Sequence, residues 1–195
     1  MIRIIAGGLK GRRLQTPTWE GLRPTSDRLR ETLFNVLAGR VAGAHVLDGY
    51  AGTGAVGIEA ISRGASRVVF LERDPRAAGL IEENLERCGV GNGYAIIRAD
   101  FGRFRQPAGS RPFDVILLDP PYAEPDLEAV VARAASWLGP GGVLVLEHAR
   151  RRPAPPEAGG LTCSRVVHSG DSALSFYQRP AAEPHASGDP VPSAT

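Results

Sequence analysis

A chain of 195 residues with 43% hydrophobic content is long enough to bury one α/β core and too short for a second full domain. It has no long unbroken apolar run and no charged head leading into an apolar stretch and a small-residue cleavage site, so a cytoplasmic protein without a membrane span is expected. The net charge of +2 is uneven: residues 1–40 hold eight basic groups against three acidic ones, +5, which leaves −3 for the rest. That places the polyanion-facing end at the front. Cys88 and Cys163 form no C-x-x-C pair, and His45, His148, His168 and His185 lack ligand spacing, so reduced thiols and no structural metal are expected.

In chain order, residues 2–6 and 12–16 flank the glycine-rich 7–11 and read as a short basic hairpin. Ser26 is placed to cap a helix to about residue 38, with Leu29, Leu33, Phe34 and Leu37 on one face and Arg28, Arg30 and Glu31 elsewhere. From residue 45 the pattern alternates. Strands are expected at 46–48, 67–72, 94–98, 114–119 and 142–147, the last following a Gly-Pro-Gly-Gly turn, with helices at 54–63, 75–87 and 127–138. Residues 150–160 read as a loop, 164–168 and 173–177 as a closing strand pair, and 180–195 as a disordered tail. The alternation implies a mostly parallel sheet with helices on both faces and a ligand crevice at the carboxyl ends of its strands.

The chemistry gathers at those ends. The apolar strand 113–118 stops at Asp119-Pro120-Pro121-Tyr122. Two prolines have no N–H and cannot continue a ladder, so a carboxylate, a carbonyl and an aromatic ring lie within four residues. Such a trio accepts both hydrogens of a planar amino group while the ring stacks on the heterocycle that carries it, which suggests a nucleobase. Strand 46–48 ends at Asp48 and runs into Gly49-Tyr50-Ala51-Gly52-Thr53-Gly54 at the start of a helix. The Gly52–Gly57 stretch also satisfies G-x-G-x-x-G, so a dinucleotide has to be weighed. Asp48 opposes it, because a carboxylate at the loop mouth repels phosphate and attracts an ammonium or sulfonium. Glu72 closes the next strand and suits two ribose hydroxyls, and Asp100-Phe101 after the third strand suits an adenine amino group and ring face. Any one of these acids, taken alone, is also an ordinary solvated strand end.

These features together resemble the class I methyltransferases, and more narrowly the RsmD-type guanine-N2 methyltransferases of bacterial 16S ribosomal RNA. The matching residues are 3–7, 21–35 (Gly21 through Arg23-Pro24-Thr25 to Glu31-Thr32-Leu33-Phe34-Asn35), 51–54, 59–65, 72–74, Asp119 to Tyr122, and Leu146-Glu147-His148. The stretch 21–35 is the most specific, since generic methyltransferases lack it. The resemblance implies a Rossmann-like, seven-stranded, mostly parallel sheet over 41–179, preceded by a small RNA-facing hairpin and helix over 1–40. It implies S-adenosylmethionine as cofactor, held by Asp48, Tyr50, Ala51, Gly52, Gly54, Glu72, Arg73, Asp100 and Phe101. It assigns the catalytic work to Asp119, Pro120, Pro121 and Tyr122 on a flipped guanine, and RNA contact to Arg12, Arg13, Arg23, Thr25, Arg28 and Arg30. The expected partner is 16S rRNA or an assembly intermediate of the small ribosomal subunit, met by a monomer. Gly49-Tyr50 departs from the family, which usually has a larger apolar residue followed by Phe, and a loosened loop is expected there.

Three other readings stay open on the residues. A DNA adenine-N6 or cytosine-N4 methyltransferase shares Asp-Pro-Pro-Tyr, although 195 residues leave no room for a target-recognition insertion. An NAD-dependent oxidoreductase would use the glycine pattern but leaves Asp48 and Asp119 without a role. A ribosome-assembly factor without turnover would keep the basic front end.

Overall fold

The computed structural model describes residues 2–19 and 27–180; the expected helix cap at Ser26, the RNA contacts Arg23 and Thr25, and the tail beyond Pro180 lie outside the described residues. Strands β1 (Ile2–Arg3) and β2 (Arg13–Leu14) pair antiparallel, and helix α1 (Asp27–Val36) follows. The alternating part then runs β3 (His45–Gly49), α2 (Ala55–Ser62), β4 (Arg67–Glu72), α3 (Pro75–Arg87), β5 (Tyr94–Arg98), β6 (Phe113–Leu118), α4 (Leu127–Ala135) and β7 (Leu138–Ala149). Strands β8 (Glu157–Ala158), β9 (Leu161–Ser169) and β10 (Ser172–Gln178) close the chain.

The main sheet has the order β5-β4-β3-β6-β7-β10-β9-β8. Strands β5, β4, β3, β6 and β7 are parallel, and β10, β9 and β8 add antiparallel. From β3 the chain moves outward through β4 to β5, then returns to place β6 on the other flank of β3. That reversal opens a crevice between the carboxyl ends of β3 and β6. Eight strands rather than seven form because Gly159 and Gly160, both at positive φ, turn the expected loop back into a two-residue hairpin. Gly159 is also forced by packing, since a Cβ there would lie 2.7 Å from Ala132 Cα of α4.

Alternate residues of the central strands feed two cores. Val46, Phe70, Val115, Leu117 and Val145 pack on one face with α1, α2 and α3, while Leu47, Val69, Leu71, Ile116 and Leu144 pack on the other with α4 and Trp137. The helix expected to reach residue 138 stops at Ala135, where Ser136 caps it and the buried Trp137 turns inward onto the edges of Phe101 and Phe104. The expected Gly-Pro-Gly-Gly turn is absorbed into β7 as an irregularity: Phe113 faces Leu138, yet Val115 already faces Val143.

The amino-terminal hairpin and α1 share the first of these cores. Ile2, Ile4, Leu14, Leu29, Leu33, Phe34 and Leu37 pack into the same cluster as Val46, Ile58 and Phe70. Polar bonds tie the joint. The fully buried Glu59 of α2 accepts the N–H of Ile5 at 2.7 Å and of Ala6 at 3.0 Å, and Arg63 completes it at 2.8 Å. Asn84 of α3 accepts from Gln15 N–H and donates to the carbonyls of Gln15 and Thr53. Removing Glu59 would leave two part-buried backbone donors without their protein acceptor and free the Arg63 guanidinium.

Arg30 requires a correction. Expected on an RNA-facing surface, it is fully buried, with Nη2 donating to the Arg3 carbonyl at 2.8 Å and to Asp27 Oδ1 at 2.6 Å. The helical period explains it: Arg30, Phe34 and Leu37 sit at i, i+4 and i+7, one stripe that faces the core. The guanidinium joins β1 to the start of α1 and serves the fold.

Candidate active site

Parallel register sets the site. Asp48 pairs with Phe70 and Leu117, and Leu118 pairs with Leu146, so Asp48, Glu72, Asp119 and Glu147 all project to the face covered by α1 and α2. Four acids thus stand side by side at the carboxyl ends of β4, β3, β6 and β7. Asp48, Asp119 and Glu147 line one small cavity of about 20 Å³, walled by Leu29 and Leu33 of α1, Val56 of α2 and Leu174 of β10. Glu147 has no assigned role in the sequence reading, yet it carried the same signal as the others, an acid ending an apolar strand (Val143-Leu144-Val145-Leu146).

Asp48 is 5% exposed, and its Oδ2 accepts the Gly57 N–H at 2.8 Å. Burial pushes its carboxyl up to about 8; the Gly57 bond works against that, and the charges of Asp119 and Glu72 add to it. Three acidic side chains gathered at one loop mouth favour a cation there and disfavour a pyrophosphate. Gly57 is glycine because a Cβ there would sit 2.2 Å from the Phe70 ring and 2.9 Å from Asp48 Oδ2.

The loop after β3 is tightly held. Tyr50 N–H and Ala51 N–H both donate to the Leu71 carbonyl at 3.1 Å. Tyr50 has φ of 73°, the one non-glycine residue at positive φ among the described residues, a conformation that costs about 1–3 kcal/mol. Gly52 and Gly54 follow at φ of 55° and 76°. The loosening expected at Gly49 is not found. A Cβ there would meet Leu118 Cδ2 at 2.8 Å and Phe101 at 3.4 Å, so neighbouring side chains already occupy that space.

Glu72 is buried and holds the loop from below, Oε2 accepting Gly52 N–H and Oε1 accepting Asp74 N–H, both at 2.8 Å. Each oxygen keeps one acceptor direction for a ribose hydroxyl. Asp100 is half exposed, with Oδ1 accepting Gly102 N–H and Oδ2 3.8 Å from the exposed Arg73. Phe101 differs from the expectation of an open adenine-stacking ring: it is buried, stacked on Tyr50 at 4.7 Å and set edge-on to Trp137. Tyr50 covers one Phe101 face, and the two rings form a common wall.

At the other lip, Asp119 N–H reaches the Gly49 carbonyl at 3.4 Å, so the Asp-Pro-Pro-Tyr segment begins directly against the loop after β3. Pro120 is buried, Pro121 exposed, and Tyr122 46% exposed, its hydroxyl 3.0 Å from Ser172 Oγ. The loop beyond is clamped by Arg152, which donates to the carbonyls of Glu124 and Pro125. Arg152 is itself held through its carbonyl, which lies 2.8 Å from His148 Nδ1, while His148 Nε2 meets Ser175 Oγ at 2.8 Å. Carbonyls on the Nδ1 side place that proton there, leaving Nε2 to accept from Ser175. Arg152, His148 and Ser172 were invisible as site residues because these bonds cross between β7, β10 and the loop after β6.

This fold, with its acid-tipped parallel strands and its Asp-Pro-Pro-Tyr segment at the crevice, defines a class I S-adenosylmethionine-dependent methyltransferase. The signature of the family described as Conserved hypothetical protein 95 matches residues 2–178, and the chain belongs to that family, the RsmD-type rRNA methyltransferases. It is 38% identical over 156 residues to the ribosomal RNA small subunit methyltransferase D of Haemophilus influenzae, covering 78% of this chain and 81% of that protein. To the protein of the same name from Escherichia coli it is 34% identical over 182 residues, 92% of this chain and 91% of the other. The solved structure of the E. coli methyltransferase yhhF superposes with a TM-score of 0.78 at 32% identity, covering 91% and 97% of the two chains. The solved structure of SMU.776, described as a methyltransferase complexed with SAH, shares the fold at 17% identity and a TM-score of 0.62, over 77% of this chain and 48% of its own. Among the described residues no helix is long and apolar enough to cross a membrane, and no group of acids, histidines and cysteines is arranged to hold a metal.

Proposed function

We propose that this chain methylates the exocyclic N2 amino group of a guanine in the 16S ribosomal RNA of the small subunit, acting as a monomer on the RNA or on an assembly intermediate. One observation carries the reading: Asp119 leads from β6 against the cofactor loop, beside Asp48, while Tyr122 stands exposed at the lip. Relatives at 34–38% identity are named as small-subunit rRNA methyltransferases, which supports rRNA as the substrate class. The resemblance through residues 21–35 supports guanine over other amino-bearing bases.

The cofactor fits the acids of the site. S-adenosylmethionine supplies an electrophilic methyl group on a sulfonium, with an ammonium that the Asp48 side favours. Asp48 and the backbone of Tyr50, Ala51, Gly52 and Gly54 would hold its amino-acid end, Glu72 its ribose, and Asp100 with Arg73 and the Tyr50–Phe101 wall its adenine. On the other side, the guanine N2 lone pair is delocalised into the ring and is a poor nucleophile. Asp119 and the Pro120 carbonyl accept its two hydrogens and draw the nitrogen toward tetrahedral geometry. Pro121 keeps a competing N–H out of this segment. Tyr122 stacks on the extruded base and fixes its plane. With the cofactor held there, its sulfonium would give up the methyl group to N2 and leave as the thioether, and the surplus proton would depart through Asp119 or water. Exposed Arg12, Arg13 and Arg28 are proposed to meet RNA phosphates away from the reacting base.

Methyl-labelled S-adenosylmethionine, incubated with small subunits, naked 16S rRNA or duplex DNA, tests this. Label recovered as N2-methylguanosine is the expected result. Label in N6-methyladenine or N4-methylcytosine of DNA would overturn it in favour of the amino-methylating DNA enzymes.

A further inference from the structure

Tyr122 shares its lip of the crevice with an open cavity of about 540 Å³ lined by Ala149, Arg150, Arg151 and Asp171. A turn builds it. The Arg152 N–H donates to the Ala149 carbonyl at 2.9 Å, which makes Arg150 and Arg151 the two central residues of a β-turn at the end of β7. The turn is anchored on both sides, by Arg150 N–H to the Asp171 carbonyl at 2.7 Å and by the inward clamp of Arg152 on Glu124 and Pro125. Arg152 is thereby drawn inward while Arg150 and Arg151 stay exposed, and among the described residues neither makes an ion pair. Two guanidiniums against the Asp171 carboxylate leave the lining net positive.

A nucleotide whose base stacks on Tyr122 carries its own backbone phosphates beside the ring, and Arg150 and Arg151 line the same cavity as Tyr122. We propose that Arg150 and Arg151 form a phosphodiester-binding site for the RNA strand that carries the target base, a step that rests on the reading of this chain as an RNA methyltransferase. Guanidinium forks suit phosphate oxygens bidentately, and the anchored turn presents them with little backbone freedom left to lose. Arg12 does not supply this contact. Its charge opposes the rise that burial gives the Cys88 thiol, just past the carboxyl end of α3, which puts Arg12 toward the amino ends of the strands.

The test compares wild type, Arg150→Ala/Arg151→Ala, and the charge-matched control Arg67→Ala/Arg87→Ala at the amino ends of the strands, using small subunits or their naked RNA. The site predicts a KM for RNA raised about tenfold with kcat within about twofold, and a salt slope of RNA binding reduced by about 1.5, since each phosphate contact contributes about 0.7–0.9. Cofactor affinity should not change. A Gln pair at the same positions, which keeps side-chain bulk and loses only charge, must reproduce the KM change, which separates the effect from any loss of folding. Unchanged KM and salt slope, or an equal loss in the control, would overturn the phosphate site while leaving the enzyme reading intact. Failure of the wild type to methylate any RNA would overturn the enzyme reading and the site with it.

Discussion

The two lips of the crevice are built on opposite principles. On the β3–β4 side nearly every polar group is spoken for: Asp48 bonds Gly57, Glu72 bonds Gly52 and Asp74, and Tyr50 is held at positive φ over Phe101. On the β6–β7 side Tyr122 is half exposed, Arg150 and Arg151 are unpaired among the described residues, and the loop after Pro121 hangs from Arg152. A small cationic cofactor needs a preformed cradle, because it has little binding energy to spend on ordering a loop. A large RNA brings many contacts and can complete an open surface by itself. The difference teaches where mutations should separate binding from chemistry.

The sharpest break comes from Asp119→Ala, which should cut turnover by about a thousandfold or more while cofactor affinity stays within about threefold; comparable single-turnover rates in variant and wild type would remove Asp119 from the chemistry. Next is Gly57→Ala on the cofactor side. A Cβ at 2.2 Å from the Phe70 ring must displace that ring or the helix, costing about 3 kcal/mol, with cofactor binding lost in parallel. Urea titration and calorimetry on the same sample would show it. Arg152→Ala should act the other way round, lowering kcat about tenfold through a slack target loop, with thermal stability and cofactor affinity nearly kept. An unchanged kcat would mean that the clamp does not position Tyr122.

The pH response sharpens the contrast further. Because the folded Asp48 carboxyl titrates near 8 and an unfolded one near 3.8, the folded state holds a proton that the unfolded state gives up between those values. Its favourable contribution is therefore complete below about pH 4 and is lost as pH rises through about 8. Cofactor-free protein should melt progressively lower over that window. Asp48→Asn should show a flatter profile, matching wild type at low pH and exceeding it above pH 8, while binding the cofactor less well. Melting curves of the two proteins across pH, with a parallel drop in both, would refute the assignment.

Much of this molecule was legible as pattern. Short continuous apolar runs located the central strands, Pro75 near a first turn marked the start of α3, and the acids at four strand ends marked the crevice. These succeed because they are local: an apolar strand run or a proline-led helix start is read from its own residues wherever it packs. What the sequence determined by itself was therefore the order of elements, the parallel sheet and the placing of Asp119 to Tyr122 at the end of a central strand. The rest waited on the tertiary structure. Only packing joined Arg30 to the Arg3 carbonyl, filled the space beside Gly49 with Leu118 and Phe101, and brought Glu147 level with Asp119. Only the placement of β10 beside β7 linked Ser172 to Tyr122 and set Arg150 and Arg151 on the target lip. Those facts include contacts between residues 27 and 50 positions apart, and spacing along the chain carries no record of such distances.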